Sequence, residues 1–277
     1  MWAVTTYSLS HVVDNPARFN RNNHGEAPAD YREVVDRTQT SQWIDLFHDD
    51  YSTITIDEAD VAWMREAARV GAVTRRFTHL FDDELELTCA KYQGAMDAIE
   101  RADGWFVRTE RASLKEGEFG AGPYQTMDRI VRSMVSTTPG HTPLASSGPC
   151  TLYFLPWIPM DRDREFRVFV CGNRVTAVSQ QHVYRVNEWL VSTPGAVDRA
   201  MRKILDHFSS SVRDKLAHIG DYSMDVALVG DDETPYFIEP NSFGAAYAAG
   251  SALFHWIIDH EVLHGERPVE MRYIDRE

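Results

Sequence analysis

The sequence predicts a mixed α+β fold in which antiparallel hairpins are combined with amphipathic helices. Two apolar hairpins are indicated in the second half of the chain, one centred on Gly172-Asn173 and one on residues 230–234. Between them, residues 196–217 repeat their apolar positions with the period of a helix. Signals of parallel crossovers are few, which favours the α+β class over the alternating α/β class.

The first half of the chain begins with a polar, weakly periodic arm at residues 10–50. Thr55 and Glu58 then have the spacing of a capping box, which predicts the start of a helix that ends near Gly71. The side chains that this helix would turn inward are Val61, Met64 and Ala68.

The remaining elements follow from the periods of 3.6 residues for helices and two for strands. In chain order, helices are expected over 83–103, 125–135 and 245–258, and strands over 105–109, 151–157, 165–170, 174–180, 224–229 and 235–239. Gly172-Asn173 predicts a turn of type II′. The stretch 136–149 is dense in Ser, Thr, Pro and Gly, which predicts a linker. The regions expected on this basis are 1–103, 104–149 and 150–277.

The composition limits the classes of partner. The chain has 42 acidic against 28 basic side chains and a formal charge of -14, which disfavours broad contact with nucleic acid or an anionic membrane. No run approaches the roughly 20 apolar residues of a membrane span, and the N-terminus lacks the pattern of a secretory signal. Cys89, Cys150 and Cys171 are widely spaced and indicate neither a disulfide framework nor a cysteine zinc site. We therefore expect a cytoplasmic protein.

One cation and three oxygen-bearing side chains interrupt the apolar strands. Arg167 lies inside the strand over 165–170, and Asp225, Glu239 and Asn241 stand near strand ends. Ionised groups are costly to bury unless they are paired or bind a metal. Alternation puts Glu239 and Asn241 on one face, Asp225 could reach them across the hairpin, and such oxygens suit Mg²⁺. Arg167 would then bind the terminal phosphate of a metal-bound polyphosphate.

Separated segments of the chain resemble the ATP-grasp superfamily. The segments are Phe106-Val-Arg-Thr-Glu-Arg-Ala-Ser-Leu-Lys115, Leu155-Pro-Trp-Ile158, Glu165-Phe-Arg-Val-Phe-Val170 with Ser179-Gln-Gln181, and Asp225 with Glu239-Pro-Asn241. They look like the cell division cycle protein 123 family, whose members are ATP-grasp assembly chaperones for a translation initiation factor. The ending Glu239-Pro-Asn-Ser-Phe-Gly-Ala-Ala-Tyr247 looks more like small bacterial and viral ATP-grasp proteins, which are proposed carboxylate–amine ligases.

The resemblance implies an ATP-grasp fold, with two lobes whose antiparallel sheets enclose a nucleotide cleft. Lys115 and Arg108 would contact the α- and β-phosphates, and the glycine-rich segment 117–122 would form a flexible cover. The backbone around Phe154, Leu155 and Trp157 would face adenine. Arg167 would bind the γ-phosphate as the catalytic residue, and the metal ligands of Mg²⁺ would be Asp225, Glu239 and Asn241. Arg108 departs from the usual Lys and Glu239 from the chaperone family's Asp.

Ordinary structural roles compete with these assignments. Arg167 could simply pair with Glu165 or Asp225, and Asn241 could cap the helix expected at 245–258. Lys115 could be a solvated surface residue.

A second motif predicts a different class of protein. His260-Glu-Val-Leu-His264 has the HExxH pattern, in which two His bind zinc and Glu acts as the base. It is the remote alternative, a zinc hydrolase.

Two uses of ATP remain open. In a ligase, a small-molecule or peptide carboxylate is activated as an acyl phosphate and attacked by an amine, and Arg111, Arg174, His182 and Arg185 are candidates for its acceptor pocket. An assembly factor would instead bind ATP and a protein partner. The sequence favours the ligase through the segment that ends at Tyr247.

Overall fold

The computed structural model describes residues 2–20, 27–138, 141–144, 147–247 and 249–277. The chain forms two compact units, a discontinuous unit made of Met1–Trp43 with Pro159–Glu277 and a continuous unit, Ile44–Ile158. This division differs from the expected boundaries after residues 103 and 149. The physical reason is strand pairing, because the strand at residues 150–156 pairs with strands on both sides of the first expected boundary.

Helices and strands are interspersed along the chain, mostly in runs of two or three elements of one type. Within the described residues the strands are β1 (Ala3–Ser8), β2 (Ser52–Ile56), β3 (Trp105–Arg108), β4 (Cys150–Pro156), β5 (Glu165–Cys171), β6 (Arg174–Gln180), β7 (Tyr222–Val229), β8 (Thr234–Ser242) and β9 (Glu270–Arg276). The helices are α1 (Leu9–Asp14), α2 (Tyr31–Asp36), α3 (Ile44–Phe47), α4 (Glu58–Thr74), α5 (Asp82–Ala98), α6 (Met127–Ser136), α7 (Glu188–Ser192), α8 (Ala196–His207) and α9 (His260–Leu263). The mixed α+β class is confirmed.

The discontinuous unit is built on a six-stranded sheet in the order β1-β9-β6-β5-β7-β8. Both predicted hairpins are present and antiparallel, and β5 also pairs with β7, which joins them into one sheet. Two pairings are parallel, β1 with β9 and β9 with β6. The sequence predicts neither β1 nor β9, because each pairs with a strand that is remote along the chain.

The turn between β5 and β6 is not of type II′. Gly172 has a φ of 57° and Asn173 has a φ of 58°, and Cys171 faces Arg174 across the hairpin. A type II′ turn needs a positive φ at its first central residue only, whereas type I′ needs it at both. The turn is therefore type I′, which Asn tolerates better than most residues.

The continuous unit packs helices α4, α5 and α6 around a three-stranded sheet in the order β2-β4-β3. Its core includes Met64, Ile130 and Phe154, all fully buried. The helix predicted after Thr55 is present, but its N-cap is Asp57, whose carboxylate accepts from the backbone N–H of Asp60 at 3.0 Å. Thr55 cannot cap it because β2 extends to Ile56.

Two helix predictions in the discontinuous unit need correction. The α-helix α8 ends at His207 and continues as a single π-helical segment, Phe208–Val212, instead of running to residue 217. The apolar run 245–258 is not a helix in its described residues but a series of turns. It packs irregularly, with Phe254 and Trp256 buried against Phe169. None of the described helices is both long and apolar enough to cross a membrane.

Candidate functional site

A row of polar residues crosses the six-stranded sheet from strand to strand. Arg272 on β9 faces Ser179 on β6, Ser179 faces Arg167 on β5, Arg167 faces Asp225 on β7, and Asp225 faces Glu239 on β8. Directly paired residues of neighbouring strands project to the same face of a sheet. The structure thus brings Arg167, Asp225 and Glu239 together on one face.

Arg167 and Asp225 form a bidentate ion pair. Nε of Arg167 donates to Oδ1 of Asp225 at 2.9 Å, and Nη2 donates to Oδ2 at 2.8 Å. Both residues are buried, with 7% and 3% of their surfaces exposed. Of the two carboxylates that could pair with Arg167 in an ordinary structural role, the partner is Asp225. Glu165 instead lies 3.1 Å from Nε2 of His182.

Charge keeps Arg167 protonated in spite of its burial. Burial disfavours the guanidinium cation, but Asp225, and beyond it Glu239, more than offset this and raise the pKa of Arg167. A buried ion pair adds little net stability, while removal of one partner leaves an uncompensated buried charge. The pair is thus a poor stabilising device in itself and a costly one to break.

The donors of Arg167 are only partly used within the described residues. A guanidinium has five N–H groups. Two of them bind Asp225, and a third, on Nη1, donates to the carbonyl oxygen of Gly250 at 2.7 Å. One N–H on each Nη therefore remains available for an anion.

Asn241 lies beside Asp225 and contributes to the same cluster. Its Nδ2 donates to Oδ2 of Asp225 at 3.4 Å, and Nε2 of Gln181 donates to the same oxygen at 3.2 Å. Asn241 is part of β8, so the alternative that it caps a following helix is wrong. Sequence reasoning did not single out Gln181 as a contact of Asp225.

A β-bulge fixes the direction of Glu239. Asp225 pairs with Glu239 and Val226 pairs with Phe237, which leaves Ile238 as the extra residue of β8. In a regular strand Phe237 and Glu239 would share a face. The bulge separates them, so that Phe237 packs edge-on against Trp43 at 5.6 Å while Glu239 stays on the face of Asp225.

The two cationic side chains that are predicted to bind the α- and β-phosphates lie in the continuous unit. Arg108 is the last residue of β3 and is 2% exposed, and Lys115 is exposed on a 3-10 turn, Leu114–Glu116. Near Arg108 lies His48, a residue that sequence reasoning missed. Burial, followed by the charge of Arg108, lowers the pKa of His48 to about 4.

The glycine-rich segment is attached to α6 at several points. The backbone N–H of Glu118 donates to Oγ of Ser136 at 2.8 Å, and that of Phe119 donates to Oγ of Ser133 at 3.3 Å. A side chain at Gly117 would overlap Ser133. The expected flexible cover is thus anchored at its first residues.

The predicted adenine contacts occupy a central strand. Phe154 and Leu155 belong to β4, which lies between β2 and β3, and both side chains are buried. Phe154 faces Ser52 on one side and Val107 on the other. The backbone N–H of Trp157 donates to the carbonyl oxygen of Gly104 at 3.2 Å. Adenine binding here stays a prediction.

The HExxH motif lacks the geometry of a zinc site. His260 and His264 stack with their ring centroids 3.9 Å apart, and Nε of Arg267 donates to Glu261 at 2.7 Å. Within the described residues, no three His, Cys, Asp or Glu side chains are grouped to hold a metal ion. Two of the candidate acceptor residues are also engaged, since Arg185 pairs with Asp163 at 3.0 Å and Nε2 of His182 lies 3.1 Å from Glu165.

Comparison with known proteins identifies relatives of this fold. The chain superposes on Cdc123 from Schizosaccharomyces pombe with a TM-score of 0.61 and 17% identity, over 87% of this chain and 97% of that one. A C-terminally truncated form of that protein gives a TM-score of 0.59 over the same shares of both chains, also at 17% identity. Identity this low establishes similarity of fold. No curated protein sequence gives a significant match.

A family model extends the comparison from fold to sequence. The model of the D123 family matches residues 133–277, more than half of the chain. The matched part contains β4 to β9 and so includes Arg167, Asp225, Glu239 and Asn241. This chain belongs to the D123 family.

Proposed function

We propose that this chain is a Mg-ATP-binding protein of the ATP-grasp type. The observation that carries the proposal is the row Arg167–Asp225–Glu239, flanked by Asn241 on one face of a sheet, in which Arg167 and Asp225 are buried. A buried cation placed next to two carboxylates and an amide provides one partner for phosphate and several for a metal.

The side chains fit a magnesium ion. Oδ1 of Asp225 accepts one hydrogen bond from the described residues and has a second lone pair. Asn241 donates to Asp225 through Nδ2, so its amide oxygen does not take part in that hydrogen bond. Mg²⁺ prefers such oxygens, usually one or two carboxylates together with phosphate and water. When bound, the ion would neutralise phosphate charge.

Arg167 suits the γ-phosphate because its two remaining N–H groups lie on different nitrogens. A guanidinium can present such a pair to two phosphate oxygens as a fork. We assign further phosphate contacts to Arg108 and Lys115 on the resemblance of their segment to ATP-grasp proteins. Adenine would be bound near Phe154, Leu155 and Trp157.

Two candidate functions differ in how the bound ATP is used. Membership of the D123 family favours an ATP-bound assembly factor with a protein partner. The ion pair of Arg185 with Asp163 and the contact of His182 with Glu165 leave fewer side chains for an acceptor pocket. The second candidate is a carboxylate–amine ligase acting through an acyl phosphate, which the segment ending at Tyr247 favours. Release of ADP with formation of an amide from pooled amino acids or peptides would identify the ligase.

Thermal denaturation with and without Mg-ATP tests the nucleotide site. Mg-ATP should raise the melting temperature of the wild type, and Glu239→Gln and Asp225→Asn should abolish the increase, because an amide is a much weaker metal ligand than a carboxylate. Glu233→Gln is the matched control, since Glu233 lies in the turn of the same hairpin and pairs with Arg199. It should keep the full increase. An increase that persists in both site variants would contradict the metal assignment.

A further inference from the structure

The loop over residues 249–254 covers one end of the polar row. Three members of the row hold its backbone: Arg167 binds the Gly250 carbonyl at 2.7 Å, Ser179 Oγ accepts from the N–H of Leu253 at 3.1 Å, and Arg272 donates to the Leu253 carbonyl at 3.3 Å. The loop is therefore hydrogen-bonded to side chains of the polar row, one of which, Arg167, directly contacts the candidate metal ligand Asp225.

Asn20 holds this loop from the N-terminal segment. Its backbone N–H donates to the carbonyl oxygen of Ala252 at 2.7 Å, and its side-chain Oδ1 accepts from the N–H of Ala252 at 3.2 Å. Asn20 and Ala252 both have a φ of 49°. Non-glycine residues adopt this conformation rarely and at an energetic cost, so the contact holds both residues in a demanding geometry.

Gly250 connects Asn20 with Arg167. A Cβ atom at Gly250 would overlap Oδ1 of Asn20 and would lie 3.4 Å from Nη1 of Arg167. The absence of a side chain lets the loop backbone pass between the two residues, so the Gly250 carbonyl can reach Arg167.

We propose that Asn20 is a positioning residue that, through Ala252 and the Gly250 carbonyl, orients Arg167 toward the γ-phosphate of bound ATP. The proposal rests on the proposed function. The physical reason is that Arg167 and a bound magnesium ion would both use the carboxylate of Asp225. Asp225 would share its oxygens between Arg167 and a bound magnesium ion, which would weaken its hold on the guanidinium. The Gly250 carbonyl is not a candidate metal ligand and would keep its hydrogen bond to Arg167. The loop would then be the firmer restraint on the guanidinium when the site is loaded.

The test compares the affinities of the full chain for Mg-ATP and Mg-ADP by isothermal titration calorimetry. Asn20→Ala should weaken Mg-ATP binding about tenfold, the equivalent of one hydrogen bond, and should change Mg-ADP binding less than about twofold, because ADP lacks the phosphate that Arg167 binds. Asn20→Asp keeps the acceptor oxygen and tolerates the positive φ, so it should restore the wild-type ratio of the two affinities.

Gly250→Ala provides an independent variant. Its Cβ should displace Asn20 and reduce the same ratio, and in combination with Asn20→Ala the loss should be no greater than that of either change alone, since the overlap is then relieved. Equal losses for ATP and ADP in Asn20→Ala, or a lower melting temperature with an unchanged ratio, overturn the positioning role alone. A wild-type chain that binds neither nucleotide overturns the proposed function, and this proposal with it.

Discussion

Arg167 was identifiable from the sequence because a cation inside an apolar strand needs a partner. The structure gives it a carboxylate and a carbonyl, and the family match covers its strand. Asp225, Glu239 and Asn241 could be identified in the same way, since they stand near the ends of two apolar strands. The contacts of Asn20 with the loop at Gly250 and Ala252 could not be predicted. They join segments that are remote along the chain, and neither Asn nor Gly signals such a contact.

At the residue scale, the low pKa of His48 predicts that the folded protein loses stability in acid. Its folded pKa of about 4 lies below the unfolded value of about 6.5. Folding therefore favours neutral His48, and the resulting stability is complete above pH 6.5 and lost as the pH falls toward 4. The free energy of unfolding should fall by at most about 3 kcal/mol across this window. Urea unfolding at a series of pH values measures the slope.

His48→Gln is the variant that isolates this effect. It should flatten the pH dependence between 6.5 and 4 without removing it, because burial also lowers the pKa of His207, with a smaller contribution from Lys215. An unchanged slope in His48→Gln would show that His48 does not titrate in this window.

At the element scale, the β5–β6 hairpin shows what a two-residue turn motif can decide. Gly172-Asn173 correctly located the hairpin, but the turn type depends on φ at Asn173, which the residue names alone do not specify. The same limit applies to residues 245–258. Their apolar composition predicts burial, which is found, and a helix, which is not, because side chains of the sheet bind the backbone of this segment instead.

Asn173→Ala distinguishes the two turn types. In the type I′ turn Asn173 is left-handed, so alanine should lower the free energy of unfolding by about 1–2 kcal/mol. Asn173→Gly should be neutral or stabilising at the same position. Chemical denaturation of the two variants measures the difference, and equal stabilities would argue for a type II′ turn in solution.

At the scale of the whole molecule, the N-terminal segment belongs to the same unit as the C-terminal half. Val12 and Phe19 lie in a core with Leu253 and Ile274, and Arg18 forms a bidentate pair with Asp259. The sequence predicts only an irregular arm at residues 10–50, because these contacts join positions that are remote along the chain. Local periodicity finds hairpins but not parallel pairing of the two chain ends.

Removing residues 1–20 should therefore destabilise the C-terminal half. Loss of the buried side chains of Val12 and Phe19 alone should lower the free energy of unfolding by at least about 5 kcal/mol. Limited proteolysis and denaturant unfolding of the shortened chain measure this effect. Removal of only residues 1–2, which precede β1, is the control and should leave both readouts close to those of the full chain. A shortened chain as stable as the control would contradict the packing of this segment.

The discontinuous unit also determines the order in which the chain can fold during synthesis. Strand β1 is made first, and its partner β9 emerges on the order of 10–50 s later at ~5–20 residues per second. Until then β1 is an unpaired strand edge, the kind of surface on which chains associate wrongly. The continuous unit, whose described strands lie between residues 52 and 156, can complete its sheet during this interval. Nascent chains should therefore contain a folded continuous unit well before the six-stranded sheet closes.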